Sequence, residues 1–172
     1  MSSDVLKVKG VRSVASFGTD ETIGRAVRQY SPMLLRLAAT RLPSTADAED
    51  AVQEAFIRLL DRRPVFQDAE HEKAWLIRVT LQRAADIRRR KTREAPLDTA
   101  IEVCSLDQES ETELLSAVRA LPEKYGAVIH LYYYEGYSVK EIAKLLGLPA
   151  ATAGTRLARG RERLRRMLKE DE

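Results

Sequence analysis

Tyr137-Ser-Val-Lys-Glu-Ile-Ala-Lys-Leu-Leu-Gly-Leu-Pro-Ala-Ala-Thr-Ala-Gly-Thr-Arg-Leu-Ala-Arg-Gly-Arg-Glu-Arg-Leu-Arg-Arg166 reads as a capped helix, a tight turn and a second, strongly basic helix. Ser138 stands as N-cap with Glu141 three residues on, and Val139, Ile142, Ala143 and Leu146 recur at helical spacing. Gly147 ends that helix. Pro149 cannot extend it but suits the start of the next, in which Ala153, Leu157, Leu164 and Leu168 keep to one face. Thr152, Thr155, Arg156, Arg159 and Arg163 occupy the remaining arc. Hydroxyls and guanidinium forks on one helix match phosphates and guanine edges in a major groove, so the stretch reads as a DNA-binding helix-turn-helix. The competing reading is a solvated basic helix, but a turn of this spacing between two amphipathic helices is far rarer than a basic run.

The rest of the chain places charge in blocks. Of 172 residues, 44% are hydrophobic and 32% charged, as in a soluble globular protein, and the net charge is only +3. Residues 62–93 hold ten Lys or Arg against four acids, 94–124 two against eight, and 125–172 nine against six. Two basic modules therefore flank an acidic connector, a pattern suited to one long polyanion touched at two places, with salt-sensitive binding. Cys104 is the single cysteine, which excludes an intrachain disulfide. With no membrane-length apolar run, and no apolar core behind Lys7, Lys9 and Arg12 to make a signal peptide, the expected location is a reducing cytoplasm.

Residues 1–19 lack periodicity and are expected to be a flexible lead. From Thr22 the pattern turns helical with Ile23, Ala26, Val27 and Tyr30, and a second run after Ser31-Pro32 gathers Leu34, Leu35, Leu37, Ala38 and Leu42. Ser44 is a plausible N-cap for a helix from Ala46 to Asp61, with Ala48, Val52, Ala55, Phe56 and Leu59 facing inward. Asp50, Gln53, Glu54 and Ile57 line up on another face. An exposed Ile among acids is unusual, but by spacing alone an ordinary solvated face is the commoner reading, and a docking surface for a basic helical partner is the alternative.

Residues 64–71 read as a loop, and a helix from about Glu72 to Lys91 buries Ile77, Leu81, Ala84 and Ala85. Its polar stripe, Arg78, Gln82, Asp86, Arg89 and Arg90, suits nucleic acid, although an Asp86–Arg90 ion pair at helical spacing would occupy part of it. Residues 94–112 carry six acids and no Lys or Arg, too polar to fold alone, and are expected to be a linker. Helices resume near Glu113 with Leu114, Leu115, Val118 and Leu121, then beyond Pro122 through Ala127, Val128, Leu131 and Tyr132, where Tyr132-Tyr133-Tyr134 is expected to pack as core and rim.

Little supports catalysis. His71 and His130 lie far apart, no metal-ligand spacing occurs, and eight scattered glycines form no phosphate-cradling loop, so no enzyme, no cofactor and no metal are expected.

Ala48-Glu49-Asp50-Ala51-Val52-Gln53-Glu54-Ala55-Phe56, then Ala74-Trp75-Leu76-Ile77-Arg78 with Asp86 and the following arginines, then Leu121-Pro122 and the helix-turn-helix, resemble an extracytoplasmic-function sigma factor of bacterial RNA polymerase. The resemblance implies an all-α fold of two small helical domains, region two at 20–93 and region four at 113–172, joined by a flexible acidic linker at 94–112 that mimics nucleic acid in the polymerase cleft. It also implies that Asp50, Gln53, Glu54 and Ile57 dock on the clamp helices of the largest catalytic subunit of core polymerase. The loop at 62–71 and helix 72–91 would hold the melted minus-ten strand, with Arg78, Gln82, Arg83, Arg89 and Arg90 in contact with it. Trp75 looks like a core anchor. The C-terminal helix would read the minus-thirty-five element through Thr152, Thr155, Arg156, Arg159 and Arg163, and an anti-sigma partner would mask these surfaces.

Three departures stand out. Gln82 replaces a common Asn, Gly154 a basic or polar residue and Gly160 an Ala, each glycine costing the helix about 1 kcal/mol of propensity. The glycines imply either a helix that orders fully on DNA or a closer approach to the DNA backbone. The competing functions are a free-standing repressor or activator, which would bind duplex unaided, and a scaffold protein with no nucleic-acid role.

Overall fold

The computed structural model describes residues 20–94 and 113–170. These form α1 (Asp20–Ala39), α2 (Thr45–Arg62), α3 (Ala69–Glu94), α4 (Glu113–Ala120), α5 (Glu123–Tyr133), α6 (Val139–Leu146) and α7 (Ala150–Glu170). The all-α expectation holds for them. The N-terminal lead and the acidic connector fall outside the described residues, except that Glu94 is the last residue of α3.

The first three helices wrap one core because each carries a single apolar stripe. Ala26, Tyr30, Leu34 and Leu37 on α1 meet Ala48, Val52, Ala55, Phe56 and Leu59 on α2 and Leu76, Ile77, Leu81, Ala84 and Ile87 on α3. The anticipated α2 stripe is buried throughout. On α3, Ala85 is only half-buried while Ile87 takes the deeper position.

Two boundaries differ from the sequence reading. Pro32 does not divide the first segment: α1 runs through it. A proline inside a helix costs about 3 kcal/mol, but burying each of Tyr30, Leu34 and Leu37 on one continuous stripe recovers about 1.5 to 3 kcal/mol apiece, so packing outweighs the break. The loop also ends early. Asp68 Oδ1 accepts from His71 N at 2.7 Å and starts α3 at Ala69, while Phe66 turns inward, edge-on to Trp75 at 5.9 Å. Ser44 caps α2 as expected, accepting from Asp47 N, and Arg63 closes that helix in a left-handed conformation at φ 44°.

One buried charge ties α1 to α3. Glu72 is fully buried, and both its oxygens accept from Arg25, at 2.8 and 3.0 Å, while Tyr30 Oη donates to it at 3.2 Å. Burial, and then the negative charge of Glu72, push the Tyr30 phenol up to about 12.

Helices α4 to α7 form the second body around Val118, Leu121, Val128, Ile129, Leu131, Ile142, Leu145, Ala153, Leu157 and Leu164. Leu145, rather than Leu146, is the buried member of that pair on α6, and Leu168 is half-buried. Of the tyrosine cluster, Tyr132 packs against the core while Tyr133 and Tyr134 form an exposed rim. The two bodies meet along a seam where α1 packs on α5 and α3 on α6. No helix among the described residues is long and apolar enough to cross a membrane.

Candidate nucleic-acid interface

The second body presents its basic helix through a turn built by local chemistry. Ser138 Oγ accepts from Glu141 N at 3.3 Å and Glu141 Oε2 accepts from Ser138 N at 2.7 Å, a closed capping box. The backbone bond to Ser138, followed by that residue's hydroxyl, holds the Glu141 carboxyl below its ordinary value. Gly147 sits at φ 64°, where other residues are strained, and lets Leu148 N donate to Ala143 O at 2.8 Å. Pro149 O accepts from Ala153 N, so the proline stands at the threshold of α7. Ala153, Leu157 and Leu164 then face inward.

This orientation converges Thr152, Thr155, Arg156 and Arg159 on one side of α7. With Lys124, Tyr125 and Ala151 they line an open cleft of about 330 Å³. Thr155 Oγ1 donates to Ala151 O at 3.0 Å, which leaves its lone pairs as acceptors. Arg163 lies one turn further, its guanidinium 5.2 Å from the Tyr125 ring centroid. Burial pushes the Tyr125 phenol up, but Lys124, Arg159 and Arg163 outweigh that and lower it. Lys124 and Tyr125 escaped the sequence reading because they lie on α5, and only α5 against α7 brings them to the cleft. The positive potential suits an anion lying along the helix.

The first body carries a second basic face. Arg78, Gln82 and Arg89 are exposed at helical spacing on α3, with exposed Arg90 and half-buried Arg83 on the adjoining stripe. Arg78, Arg83 and Arg90 have no acidic partner among the described residues. Asp86 pairs with Arg89, three residues on, rather than with Arg90. Lys91 reaches Asp47 at 2.5 Å and Arg88 reaches Glu123 at 2.9 Å, so only part of the basic run is committed to the protein itself.

A third surface is apolar. Between α1 and α2 lies an open groove of about 590 Å³ whose walls include Ile23, Val27, Asp50, Gln53, Ile57 and Leu60. Val27, Ile57 and Leu60 are exposed there, contiguous apolar surface rimmed by acid. The structure thus brings three of the four expected docking residues together. Glu54 stands outside the groove and pairs with Arg58 at 3.3 Å. Val27 and Leu60 were missed because nothing in either helix alone says that the two border one groove.

The Sigma-70 region 2 family model matches residues 26–94, and the Sigma-70, region 4 model matches residues 111–164. Curated relatives include the ECF RNA polymerase sigma factor SigW of Bacillus subtilis, 28% identical over 89% of this chain and 92% of that protein. The RNA polymerase sigma factor SigV of the same organism is 31% identical over 79% of this chain and 85% of its own length. The ECF RNA polymerase sigma factor SigM of Mycobacterium tuberculosis is 30% identical over 82% and 74%. Among solved structures, the sigma factor RpoE from Bartonella quintana, co-crystallised with the anti-sigma factor NepR, shares the fold at a TM-score of 0.69 and 23% identity. It aligns over 87% of this chain and 98% of that one. CnrH, solved with the cytosolic domain of CnrY, aligns at a TM-score of 0.61 and 23% identity, over 90% and 92%. With both regions matched in order and relatives of this similarity spanning most of its length, the chain belongs to the extracytoplasmic-function family of RNA polymerase sigma factors, which direct promoter recognition and transcription initiation.

Proposed function

We propose that the three surfaces divide the work of promoter recognition. Residues 20–93 form a region-two domain whose α1–α2 groove receives the clamp helices of the largest subunit of core polymerase. Ile57 supplies apolar contact there, and Asp50, Gln53 and Glu54 supply polar and acidic contacts. Arg78, Gln82, Arg83, Arg89 and Arg90 on α3 hold the unpaired minus-ten strand. Residues 113–172 form a region-four domain that docks α7 in the major groove of the minus-thirty-five element through Thr152, Thr155, Arg156, Arg159 and Arg163. The connector 94–112 spans the two, and the protein works in the cytoplasm, where polymerase and promoter are found.

The observation that carries this reading is the cleft where Thr152, Thr155, Arg156 and Arg159 face out together behind a fully capped turn. An anti-sigma partner belongs to the proposal as well, because the RpoE structure holds the anti-sigma factor NepR and the apolar groove here is open.

Promoter-dependent run-off transcription with purified core polymerase tests the whole. The chain should support it, and the double variant Asp50→Arg with Glu54→Arg should abolish polymerase capture while keeping its helical circular dichroism. Duplex binding by the chain with no polymerase-dependent transcript would point to a free-standing repressor.

A further inference from the structure

Tyr125 is an aromatic residue set among cations. The residue is 4% exposed, yet it lines the cleft under α7 together with Lys124 and Arg159. The Lys124 ammonium lies 5.1 Å from its ring centroid and the Arg163 guanidinium 5.2 Å. Burial pushes its phenol up, but bonds from Lys124 and Arg159 and the charge of Arg163 outweigh burial and lower it. Gly160 permits this arrangement. A Cβ there would lie 3.4 Å from Tyr125 Cβ, so α7 runs close over the tyrosine, and Arg159 and Arg163, one residue before that glycine and three after it, both reach it.

These cations are not committed to the protein's own acids. Further along α7, Arg165 and Arg166 both pair with Glu162 at 3.1 Å, and Glu123, next to Lys124 in sequence, is taken by Arg88 and Arg41. Lys124, Arg159 and Arg163 pair with no carboxylate among the described residues. A phenol oxygen has two acceptor sites and one proton. Lys124 and Arg159 use the acceptor sites, so the O–H is left to donate, and the polarising bonds it receives make it a stronger donor.

We propose that Tyr125, Lys124, Arg159 and Arg163 form a site for one backbone phosphate of duplex DNA, in which the tyrosine donates to the phosphate and holds the three cations around it before DNA arrives. The proposal rests on the reading of α7 as the helix that meets the minus-thirty-five element. A base edge in the major groove presents at most about two acceptors, too few for four donors, whereas a phosphate offers two charged oxygens. Gripping the backbone here leaves Thr152, Thr155 and Arg156 for the base edges. Holding the cations in advance also matters, because long basic side chains lose rotamer freedom on binding, and a ring that already carries them reduces that loss.

The test uses the full chain and Tyr125→Phe, which removes the hydroxyl and keeps the ring. The variant should bind a duplex carrying a minus-thirty-five element about tenfold more weakly, the loss of a hydrogen bond to a charged group. Cognate and scrambled duplexes should lose affinity alike, since a phosphate carries no sequence, while the urea unfolding midpoint stays in place. Tyr133→Phe, on an exposed ring 5.8 Å from the Arg161 guanidinium and not part of the cleft lining, should leave affinity unchanged. With tyrosines labelled by 13C at Cζ, the resonance missing from Tyr125→Phe should titrate below the free-tyrosine range, and duplex should move that titration upward because the phosphate holds the phenol proton. Inorganic phosphate at matched phosphate concentration should not move it, and an equal shift with it overturns the assignment to the DNA backbone. Unchanged affinity in Tyr125→Phe, a loss confined to cognate duplex, or a titration that duplex leaves in place likewise overturns the site. If Tyr125→Phe binds duplex like the unaltered chain while both direct transcription with core polymerase, this site fails and the proposed function stands. If the phenol responds to duplex as stated but no polymerase-dependent transcript forms, it is the proposed function that fails.

Discussion

Two glycines on α7 should respond to the same substitution with opposite signs. By propensity alone, Gly154→Ala and Gly160→Ala each stabilise an exposed helix by about 1 kcal/mol. Around Gly154 there is room: an added Cβ meets only Val139 Cγ1, at 3.9 Å, an ordinary contact, so the full gain should appear. At Gly160 the same atom would lie 2.8 Å from Ile129 Cγ1, 3.1 Å from Ile129 Cδ1 and 3.4 Å from Tyr125 Cβ. Ile129 is itself buried, so it can move only by shifting its neighbours. Overpacking of this kind costs about 1 to 3 kcal/mol, which leaves Gly160→Ala between neutral and about 2 kcal/mol destabilised. Urea unfolding followed by circular dichroism gives both values. The decisive arm is Gly160→Ala in an Ile129→Ala background, where the obstructing side chain is gone and the substitution should turn stabilising by about 1 kcal/mol. Equal stabilisation by the two single variants would refute the argument that α7 needs a glycine to lie close on α5.

Arg156→Ala should weaken duplex binding by about 1 to 3 kcal/mol for cognate sequence and much less for scrambled sequence, whereas Lys124→Ala should weaken both alike and reduce the salt slope by about one, as titrations at several salt concentrations would reveal. Arg25→Ala leaves the buried Glu72 carboxylate with only the Tyr30 hydroxyl among its described side-chain partners and should cost about 1 to 3 kcal/mol in denaturant unfolding. The Tyr30 phenol, raised from 10.0 to about 12 in the folded chain, contributes stability that is complete below pH 10 and lost as pH rises through about 12. Alkaline unfolding of Tyr30→Phe should lack that part of the slope, and an unchanged slope would remove the assignment.

What could be read without coordinates was whatever a short window contains. Ser138 with Glu141, Gly147, Ser44 and the apolar period of α2 act within a few residues, so capping, termination and the buried face of α2 followed from spacing, whereas on α6 packing turned Leu145 inward in place of Leu146. The exposure of Asp50, Gln53 and Ile57 was legible for the same reason, as was the outward face of α7. Packing between distant segments decided the rest. Pro32 stays inside α1 because burial on both sides of it exceeds the local penalty, a comparison no window around the proline contains. Gly160 looked like lost propensity and is a point of close approach to Ile129, thirty-one residues away. The second wall of the apolar groove, Lys124 in the DNA cleft, and the pairing of Lys73 with Glu135 likewise join residues from different helices. Periodicity states which side of a helix avoids water, but only the tertiary fold states which other helix meets that side and which charges face each other across the seam.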